Sequence, residues 1–280
     1  LTEEHNYIQT YAPNVHSKHV QKKMNCDKAF MVASIQKSGT MMVLATLGNY
    51  FEQLIGQKSA RLTALESREK YFSVNRYYFS QTDLPKQPYS NLLGFSNIYW
   101  AHIYPYSQDL HHFMGKAVVL YRNPLDTIIS SYYYYEKNQN RKLKRRKPPQ
   151  LKQVLEYFAH EFGRCYAYIK ALKQADFPFF FISYEDIQKN KLESYLNMLT
   201  YMAIDIDQKK VMTALEFSDI HQVKQQELSG NTINKVQSGL HARSGQVGQW
   251  KSQLSNQDIN QIETILKLYN IKLSEFTLDL

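Results

Sequence analysis

The stretch that decides the fold is AFMVASIQKSGTMMVLATLGNY, residues 29–50. Residues 30–35 form a short apolar run rich in strand-forming side chains, which is typical of a buried parallel strand. The segment QKSGT at 36–40 interrupts this run with a cation, two hydroxyl groups and a glycine, and apolar residues at helical spacing follow it. The pattern therefore predicts a P-loop-like unit of strand, tight loop and helix.

The predicted loop has the chemistry of an anion-binding site. A helix begins with unpaired backbone N–H groups and with the positive end of its dipole, and both stabilise a phosphate or sulfate group. Gly39 lets the backbone approach the anion closely, and Lys37 adds a full positive charge. A true P-loop reads GxxxxGK[ST], whereas Lys37 precedes Gly39 and no aspartate ends a predicted strand to hold magnesium. We therefore predict a phosphate-like ligand bound without a metal.

Length and composition fit a single α/β domain over residues 1–280, with 43% hydrophobic and 21% charged residues. The formal net charge of +9 favours anionic ligands. The two cysteines are too few for a disulfide framework and lack metal-ligand spacing, which predicts a reducing, cytoplasmic setting and no metal. No apolar run reaches the ~18–20 residues of a membrane span, and no signal-peptide pattern opens the chain, so no membrane partner is expected.

Further apolar runs predict the rest of an α/β fold. Strands are predicted at 92–99, 116–121 and 177–183, and helices from Pro124 onward and at 151–174, 188–202, 207–227 and 258–269. Strands that alternate with helices predict a mostly parallel sheet with helices on both faces. Ligands bind at the carboxyl ends of the strands in such sheets, and four residues with suitable chemistry fall there: Lys37, His102, Arg122 and Tyr184.

Two regions are predicted to lie outside the core. Residues 1–28 are polar and predict an irregular lead-in. Residues 136–150 are dense in lysine and arginine and end in a double proline, which predicts an exposed, flexible insertion. A basic run is also a feature of nucleic-acid binders, but it is more often a solvated face, so no nucleic acid is expected. A role at the entrance for an anionic acceptor suits this insertion better.

Arg122 offers a second anion site, directly after the strand predicted at 116–121. Its guanidinium fork, with the hydroxyl of Ser130 eight residues later, could bind a separate phosphate. Equally, an arginine can cap a strand end while a helix serine faces solvent. The residues alone leave both interpretations open.

Four motifs in order resemble those of the PAPS-dependent sulfotransferases. KSGT at 37–40 resembles the family's 5′-phosphosulfate loop, PKSGTTW. RNPLD at 122–126, with SSYY at 130–133, resembles its 3′-phosphate motif, RNPxD followed by SYY. YED at 184–186 matches its YED, and RSGQVGQWK at 243–251 is similar to its RKGxxGDWK. The four motifs span residues 37–251, so the resemblance extends over most of the chain.

This resemblance implies that the donor is 3′-phosphoadenosine 5′-phosphosulfate (PAPS) and that no metal takes part. It places the 5′-phosphate on the loop, the 3′-phosphate at Arg122, Ser130 and Arg243, and the adenine near Tyr184. The residues implied to contact the donor are Lys37, Ser38, Gly39, Thr40, Met41, Met42, Arg122, Ser130, Tyr184, Arg243, Ser244 and Gly245. Lys37 would also act in catalysis, by stabilising charge on the departing phosphate oxygen.

The resemblance also singles out His102 among nine histidines. In WAHIYP, residues 100–105, it occupies the place of the histidine in the family's KTHLP segment, which takes the proton of the acceptor. His111 and His112 lie in a polar stretch and are interpreted as exposed or structural.

Three positions depart from the family's pattern. Trp100 stands in place of a lysine near the sulfuryl group, and Ser244 in place of a lysine at the 3′-phosphate, so each removes a charge. Met42 replaces the tryptophan that would stack on adenine, so that another aromatic ring or a looser contact would hold the base. These departures suggest a bacterial-style or otherwise divergent member.

The function implied by the resemblance is transfer of the sulfuryl group of PAPS to a hydroxyl, or to an amine or guanidine nitrogen, of a small molecule such as a secondary metabolite. The alternative from the loop alone is a P-loop nucleotide kinase or nucleotide-binding protein, which needs a triphosphate and magnesium. The motifs do not distinguish the acceptors, or a monomer from a homodimer. The tyrosines at 132–135 point around a helix, and one of them is a candidate for the acceptor pocket.

Overall fold

The structure is a computed structural model, and it describes residues 29–56, 62, 64–74, 93, 95, 97–103, 110, 113, 115–142, 151–222, 225 and 245–276. The predicted lead-in at 1–28 and the predicted donor contacts Arg243 and Ser244 lie outside these residues.

Five parallel strands form one sheet in the order β2-β3-β1-β4-β5. They are β1 (Ala29–Ile35), β2 (Ser73–Val74), β3 (Asn97–Ile103), β4 (Lys116–Tyr121) and β5 (Phe180–Ser183). All seven residues of β1 are buried, because it pairs with β3 on one side and with β4 on the other. A strand enclosed by neighbours and helices needs an unbroken apolar run, and this is the signal that the sequence carries.

The helices in chain order are α1 (Thr40–Leu54), α2 (Ala64–Tyr71), α3 (Pro124–Lys142), α4 (Leu151–Gln174), α5 (Tyr184–Lys189), α6 (Lys191–Met202), α7 (Gln208–Phe217), α8 (Trp250–Gln253) and α9 (Asn256–Leu268), followed by a 3₁₀ turn, Leu273–Glu275. In the part of the chain that the structure describes, none of these helices has the length and apolar character needed to cross a membrane.

Alternate side chains of β1 enter two separate hydrophobic cores. Met31, Ala33 and Ile35 pack with residues of α3, α4 and α9 on one face of the sheet. Phe30 and Val32 pack with residues of α1, α2, α6 and α7 on the other face. Since successive side chains of a strand point to opposite faces, one apolar strand supports both layers of helices. The predicted fold, a parallel sheet flanked by helices on both faces, is confirmed.

The bounds of β4 and α4 match the prediction, whereas the strand predicted at 92–99 lies at Asn97–Ile103. Its true bounds follow from pairing with β1, which runs in register from Ala29 opposite Asn97 to Ile35 opposite Ile103. His102 therefore lies within the strand, opposite Ser34.

Other predicted bounds were wrong for local reasons. β5 begins at Phe180 rather than at 177, because Pro178 has no backbone N–H to donate to a sheet. The helix predicted at 188–202 is two helices separated at Asn190, whose side chain caps α6. α7 ends at Phe217 rather than at 227. α3 runs to Lys142, so the first residues of the predicted insertion at 136–150 are helical, and 143–150 lie outside the described residues.

Candidate active site

The loop between β1 and α1 has the backbone geometry of an anion-binding turn. Lys37 and Gly39 both adopt positive φ angles, of 66° and 86°, and Gly39 lies directly before the first residue of α1. The N-cap residue, Gly39, has no side chain to cap this end of α1, and the N–H groups of the first turn are therefore suited to a ligand. The buried hydroxyl of Ser38 also lacks a hydrogen-bond partner among the described residues.

Tyr184 packs directly against this loop, which explains why position 39 is a glycine. A Cβ atom on Gly39 would lie 2.5 Å from Cδ2 and 2.8 Å from Cε2 of the Tyr184 ring. The hydroxyl of Tyr184 donates to the carbonyl oxygen of Gly245 at 2.7 Å. The ring thus joins the loop to the segment 245–250, two of the motifs singled out in the sequence.

Gly39→Ala is expected to destabilise the protein more than Gly56→Ala, the matched control. Gly56 has a similar φ of 70°, but a Cβ there would meet nothing within 4 Å. The backbone cost of about 1–2 kcal/mol is therefore common to both variants, and the collision with Tyr184 adds about 1–3 kcal/mol at Gly39 only. Denaturant unfolding measures the difference, and equal losses in the two variants would show that the close contact with Tyr184 does not exist.

Arg122 is buried at the end of β4 and brings three segments together. Its guanidinium donates to the carbonyl oxygen of Gln246 at 2.7 Å and to that of Lys37 at 3.4 Å. The same group lies 4.5 Å from the centre of the Tyr184 ring, within cation–π range. The two cationic motifs predicted from the sequence therefore meet at one edge of the sheet.

Two buried carboxyl groups flank this guanidinium. Asp126 Oδ2 lies 3.7 Å from Nη2 of Arg122, and Glu185 Oε1 lies 3.9 Å from its Nε. Glu185 also accepts a hydrogen bond from the backbone N–H of Asn123 at 3.1 Å. Burial raises the pKa of Glu185 to about 7 despite these partners. Near neutral pH its carboxyl group is therefore partly protonated, which leaves more of the arginine's charge for an anion.

Asp126 ties the segment 245–250 to the start of α3. Its carboxylate accepts hydrogen bonds from the backbone N–H groups of Gly248, at 2.6 Å, and Trp250, at 3.2 Å. Sequence reasoning assigned no role to Asp126 or Glu185, although both belong to the quoted motifs RNPLD and YED. Their position within those motifs was the available signal.

The other predicted donor contacts lie around the same edge. Met41 and Met42 are partly exposed in the first turn of α1, and Ser130 is partly exposed on α3. The side-chain nitrogen of Gln188 lies 3.2 Å from the sulfur of Met42. Gly245, with a φ of 68°, lies against the hydroxyl of Tyr184. Their contacts with a nucleotide remain predictions.

His102 lies on β3, on the side of β1 opposite to Arg122 and Tyr184. Two hydroxyl groups link it to the loop. Its Nδ1 is 3.1 Å from Oγ of Ser34, and Ser34 Oγ is 2.7 Å from Oγ1 of Thr40. Loss of solvation is the main reason why the pKa of His102 is lowered to about 4; the charges of Lys37 and Arg68 act in the same direction, and a hydrogen bond with the backbone of Ser34 acts against them. The imidazole is therefore neutral at pH 7 and can accept a proton.

Arg68 is a second cation near His102 that sequence reasoning missed. Trp100, which takes the place of the family's lysine, is buried and packs edge-to-face on the imidazole with ring centres 5.3 Å apart. The guanidinium of Arg68 lies over the Trp100 ring, 5.4 Å from its centre. A positive charge near His102 thus comes from α2, more than thirty residues before Trp100 in the chain. No local sequence pattern predicts this contact.

Tyr134 is the tyrosine of the run 132–135 that lies over the loop. The ammonium group of Lys37 is 4.1 Å from the centre of its ring, and Tyr134 as a whole residue is 44% exposed. Tyr133 instead donates to the side chain of Gln253 at 2.8 Å, and Tyr135 packs edge-to-face on Phe158.

Four adjacent strands supply the site. In the order β3-β1-β4-β5, their carboxyl ends carry His102, the loop with Lys37, Arg122 and Tyr184. Among the residues that the structure describes, no group of three or more histidine, cysteine, aspartate or glutamate side chains is placed to hold a metal ion.

Comparisons of sequence show which proteins this chain is similar to. A family model described as "Sulfotransferase domain" matches residues 27–277. Sulfotransferase 2A1 of Rattus norvegicus is 23% identical over 181 residues, which cover 61% of this chain and 61% of the relative. Sulfotransferase 2A1 of Mus musculus is 23% identical over 184 residues, 62% of each chain. The chain thus matches less than two thirds of the length of these curated relatives.

Solved structures share the fold. Mouse sulfotransferase SULT7A1, complexed with PAP, superposes with a TM-score of 0.61 at 15% identity and covers 91% of this chain and 90% of its own. Retinol dehydratase, in complex with androsterone and the inactive cofactor PAP, gives a TM-score of 0.62 at 18% identity over 90% of this chain and 82% of its own. With the family model matched over nearly the whole chain, this protein belongs to the sulfotransferase family.

Proposed function

We propose that this protein transfers the sulfuryl group of PAPS to a small-molecule acceptor and leaves adenosine 3′,5′-bisphosphate. The observation that carries the proposal is the hydrogen bond from Arg122 to the carbonyl oxygen of Lys37, because it joins two cationic motifs at one edge of the sheet. A donor with phosphates at both its 3′ and 5′ positions needs two such anion sites close together. His102 lies across β1 from Arg122, on the side left for the acceptor.

The residues present fit the two anionic ends of the donor. The uncapped first turn of α1, the hydroxyl of Ser38 and the charge of Lys37 suit the 5′-phosphate. Arg122 suits the 3′-phosphate. In the structure its guanidinium group donates to the carbonyl oxygen of Gln246, which takes one of the positions that a phosphate oxygen would occupy. Ser130, Arg243, Ser244 and Gly245 complete that second site in the proposal, and Tyr184 lies beside the adenine.

The proposed transfer is an in-line displacement at sulfur. The oxygen or nitrogen of the acceptor forms a bond to sulfur while the bond from sulfur to the 5′-phosphate oxygen breaks, and the bonding electron pair stays on that oxygen. Lys37 stabilises the charge that develops there. The acceptor's proton goes to Nε2 of His102, which is neutral at pH 7. The negative charges of a bound donor oppose those of Lys37 and Arg68, and so raise the pKa of His102 and its strength as a base.

The acceptor side is bordered by aromatic rings. Trp100 packs on His102, and Tyr134 lies over Lys37 with part of its ring exposed. Retinol dehydratase, which shares the fold, has been crystallised with androsterone and with retinol. Both observations support an acceptor with an apolar body and one nucleophilic group, and we propose that Tyr134 borders its pocket.

Titration calorimetry tests the donor assignment. Adenosine 3′,5′-bisphosphate is expected to bind more tightly than ATP with magnesium, because the site holds two separate anion-binding groups and the loop lacks the P-loop arrangement. A preference for ATP with magnesium would instead support the nucleotide-kinase alternative.

The same titration with Arg122→Gln locates the 3′-phosphate. Loss of a charge-assisted hydrogen bond is expected to lower the affinity for the bisphosphate by ~10- to 100-fold. The affinity for adenosine 5′-monophosphate, which lacks the 3′-phosphate, is expected to change little. An equal loss for both ligands would place Arg122 outside the 3′-phosphate site.

A further inference from the structure

Gln188 and Met42 touch each other beside the ring of Tyr184. Met42 lies in the first turn of α1, and its sulfur is 3.2 Å from the amide nitrogen of Gln188 on α5. A Cβ atom on Gly39 would lie 3.7 Å from the methyl group of Met42 and 2.5 Å from the Tyr184 ring. Tyr184 and Gln188 are four residues apart, so they share one face of α5. The three side chains therefore converge next to the phosphate loop.

The direction in which the proposed donor lies decides what this place can hold. In PAPS the sulfuryl group is at the 5′ end, and the 3′-phosphate and the base are on the ribose at the other end. In the proposed function the sulfuryl group faces His102 on β3, and the 3′-phosphate lies at Arg122 after β4. The base then extends toward β5 and α5, the side on which Met42 contacts Gln188.

The contact between Gln188 and Met42 is one that a ligand can replace. Both side chains are half-buried, and a thioether sulfur is only a weak hydrogen-bond acceptor. A nitrogen of a base would therefore take the place of the sulfur readily. A glutamine amide carries N–H donors and a carbonyl acceptor side by side. Adenine presents the complementary pair, an exocyclic amine that donates and N7 that accepts, and glutamine pairs with both at once.

Met42 contributes a different kind of contact. Its thioether side chain adapts to the shape of its neighbours and packs favourably on aromatic rings. Such packing hardly distinguishes one base from another, because every base has an aromatic face. Recognition of adenine in particular needs polar groups at the edge of the ring, and Gln188 brings such a group to the same place.

We propose that Gln188 determines the base specificity of this protein by pairing with the exocyclic amine and N7 of the donor's adenine, while Met42 covers a face of the base. The inference rests on the proposed function, in which PAPS is the donor. Hypoxanthine and guanine carry a carbonyl oxygen where adenine has the amine. One of the two hydrogen bonds is then lost, and the carbonyl oxygen of Gln188 faces another oxygen. Nucleotides with these bases bind less tightly as a result.

Titration calorimetry with adenosine and inosine 3′,5′-bisphosphates tests the proposal, because the two ligands differ only in the base. The wild-type protein is expected to bind the adenosine compound ~10- to 100-fold more tightly, the usual discrimination by a bidentate contact. In Gln188→Met, which keeps a long unbranched side chain but has no amide, the two affinities are expected to agree within about threefold. Gln188→Asn withdraws the amide by one carbon and is expected to lose most of the preference as well.

Gln208→Met is the matched control, because it makes the same substitution at an exposed residue of α7. Its preference for the adenosine compound is expected to equal that of the wild-type protein. Met42→Ala separates the face of the base from its edge. It is expected to weaken both bisphosphates by a similar factor, about 2- to 10-fold, and to leave their ratio unchanged.

Two results would overturn the proposal. One is a wild-type protein that binds both bisphosphates equally well, and the other is a Gln188→Met variant that keeps the wild-type preference. Both leave sulfuryl transfer from PAPS intact as the proposed function, because the phosphate sites do not depend on Gln188. If neither bisphosphate binds the wild-type protein, the donor assignment fails and the inference fails with it.

Discussion

His102→Ala is expected to lower kcat by ~100- to 10,000-fold, the usual effect of removing a working general base. Its affinity for adenosine 3′,5′-bisphosphate is expected to change by no more than about twofold, because His102 lies on β3 and its hydrogen bonds toward the phosphate loop run through the hydroxyl groups of Ser34 and Thr40. Initial rates with labelled PAPS measure the first effect, using the best acceptor from a panel of phenols, alcohols and amines. Calorimetry measures the second.

His160→Ala is the control for this substitution. His160 accepts or donates a hydrogen bond of 2.8 Å to the hydroxyl of Tyr269, on the face of the sheet that carries α4 and α9. Its loss removes an imidazole and a hydrogen bond without touching the site, so kcat is expected to stay near the wild-type value. Turnover of His102→Ala at the level of this control would exclude His102 as the base.

The pH profile gives an independent check of the same role. Because the pKa of His102 is lowered to about 4, the imidazole of the free protein stays neutral well below the ordinary value of 6.5. The acid limb of kcat/KM is therefore expected near pH 4, and that of kcat lies higher, because bound anions raise the pKa. The unfolded chain takes up the proton first, so stability falls as the pH drops from 6.5 to 4, and short assays keep unfolding out of the profile.

Lys37→Met is expected to lower kcat by ~100- to 1,000-fold, comparable to the loss of one preorganised group that stabilises a developing negative charge. Methionine keeps a long unbranched side chain at a residue with a φ of 66°, so the backbone cost of this position is unchanged. The charge is what the substitution removes. Single-turnover rates with PAPS separate this effect on the chemical step from weaker donor binding, which raises KM.

Lys209→Met is the control for the loss of one positive charge. Lys209 is exposed near the start of α7, and its removal changes the net charge by the same amount without altering the loop. Equal single-turnover rates in the two variants would remove Lys37 from the catalytic step and leave it only a part in attracting anions.

The sequence predicts the centre of the fold well because the deciding signals there are local. The run at residues 30–35, the turn at 36–40 and the helix that follows each carry their own pattern, as does the strand at 116–121. The break at Asn190 was also visible in principle, since an asparagine followed three residues later by Glu193 resembles a capping box. The bounds of β3 were predicted wrongly for a different reason. They depend on pairing with β1, a contact between residues 68 positions apart at Ser34 and His102.

The rest of the site depends on contacts that no spacing predicts. A serine inside an apolar strand has no distinguishing pattern, yet the register of β1 and β3 places Ser34 on His102. Arg68 reaches the ring of Trp100 from a helix that lies before it in the chain. The run at 132–135 shows that some tyrosine is exposed, but only packing shows that Tyr134 covers Lys37. In each case, the fold has to be known before the chemistry can be assigned.

The order of the strands places the candidate site residues on two sides of β1. β1 separates Arg122 and Tyr184, which follow β4 and β5 and which we propose to bind the nucleotide, from His102 and Trp100 on β3. If the proposed function holds, substitutions on the side of β3 are expected to change the preferred acceptor while donor binding stays close to that of the wild-type protein. On the same proposal, a protein engineer could alter acceptor choice from one flank of the sheet and leave the other flank unchanged.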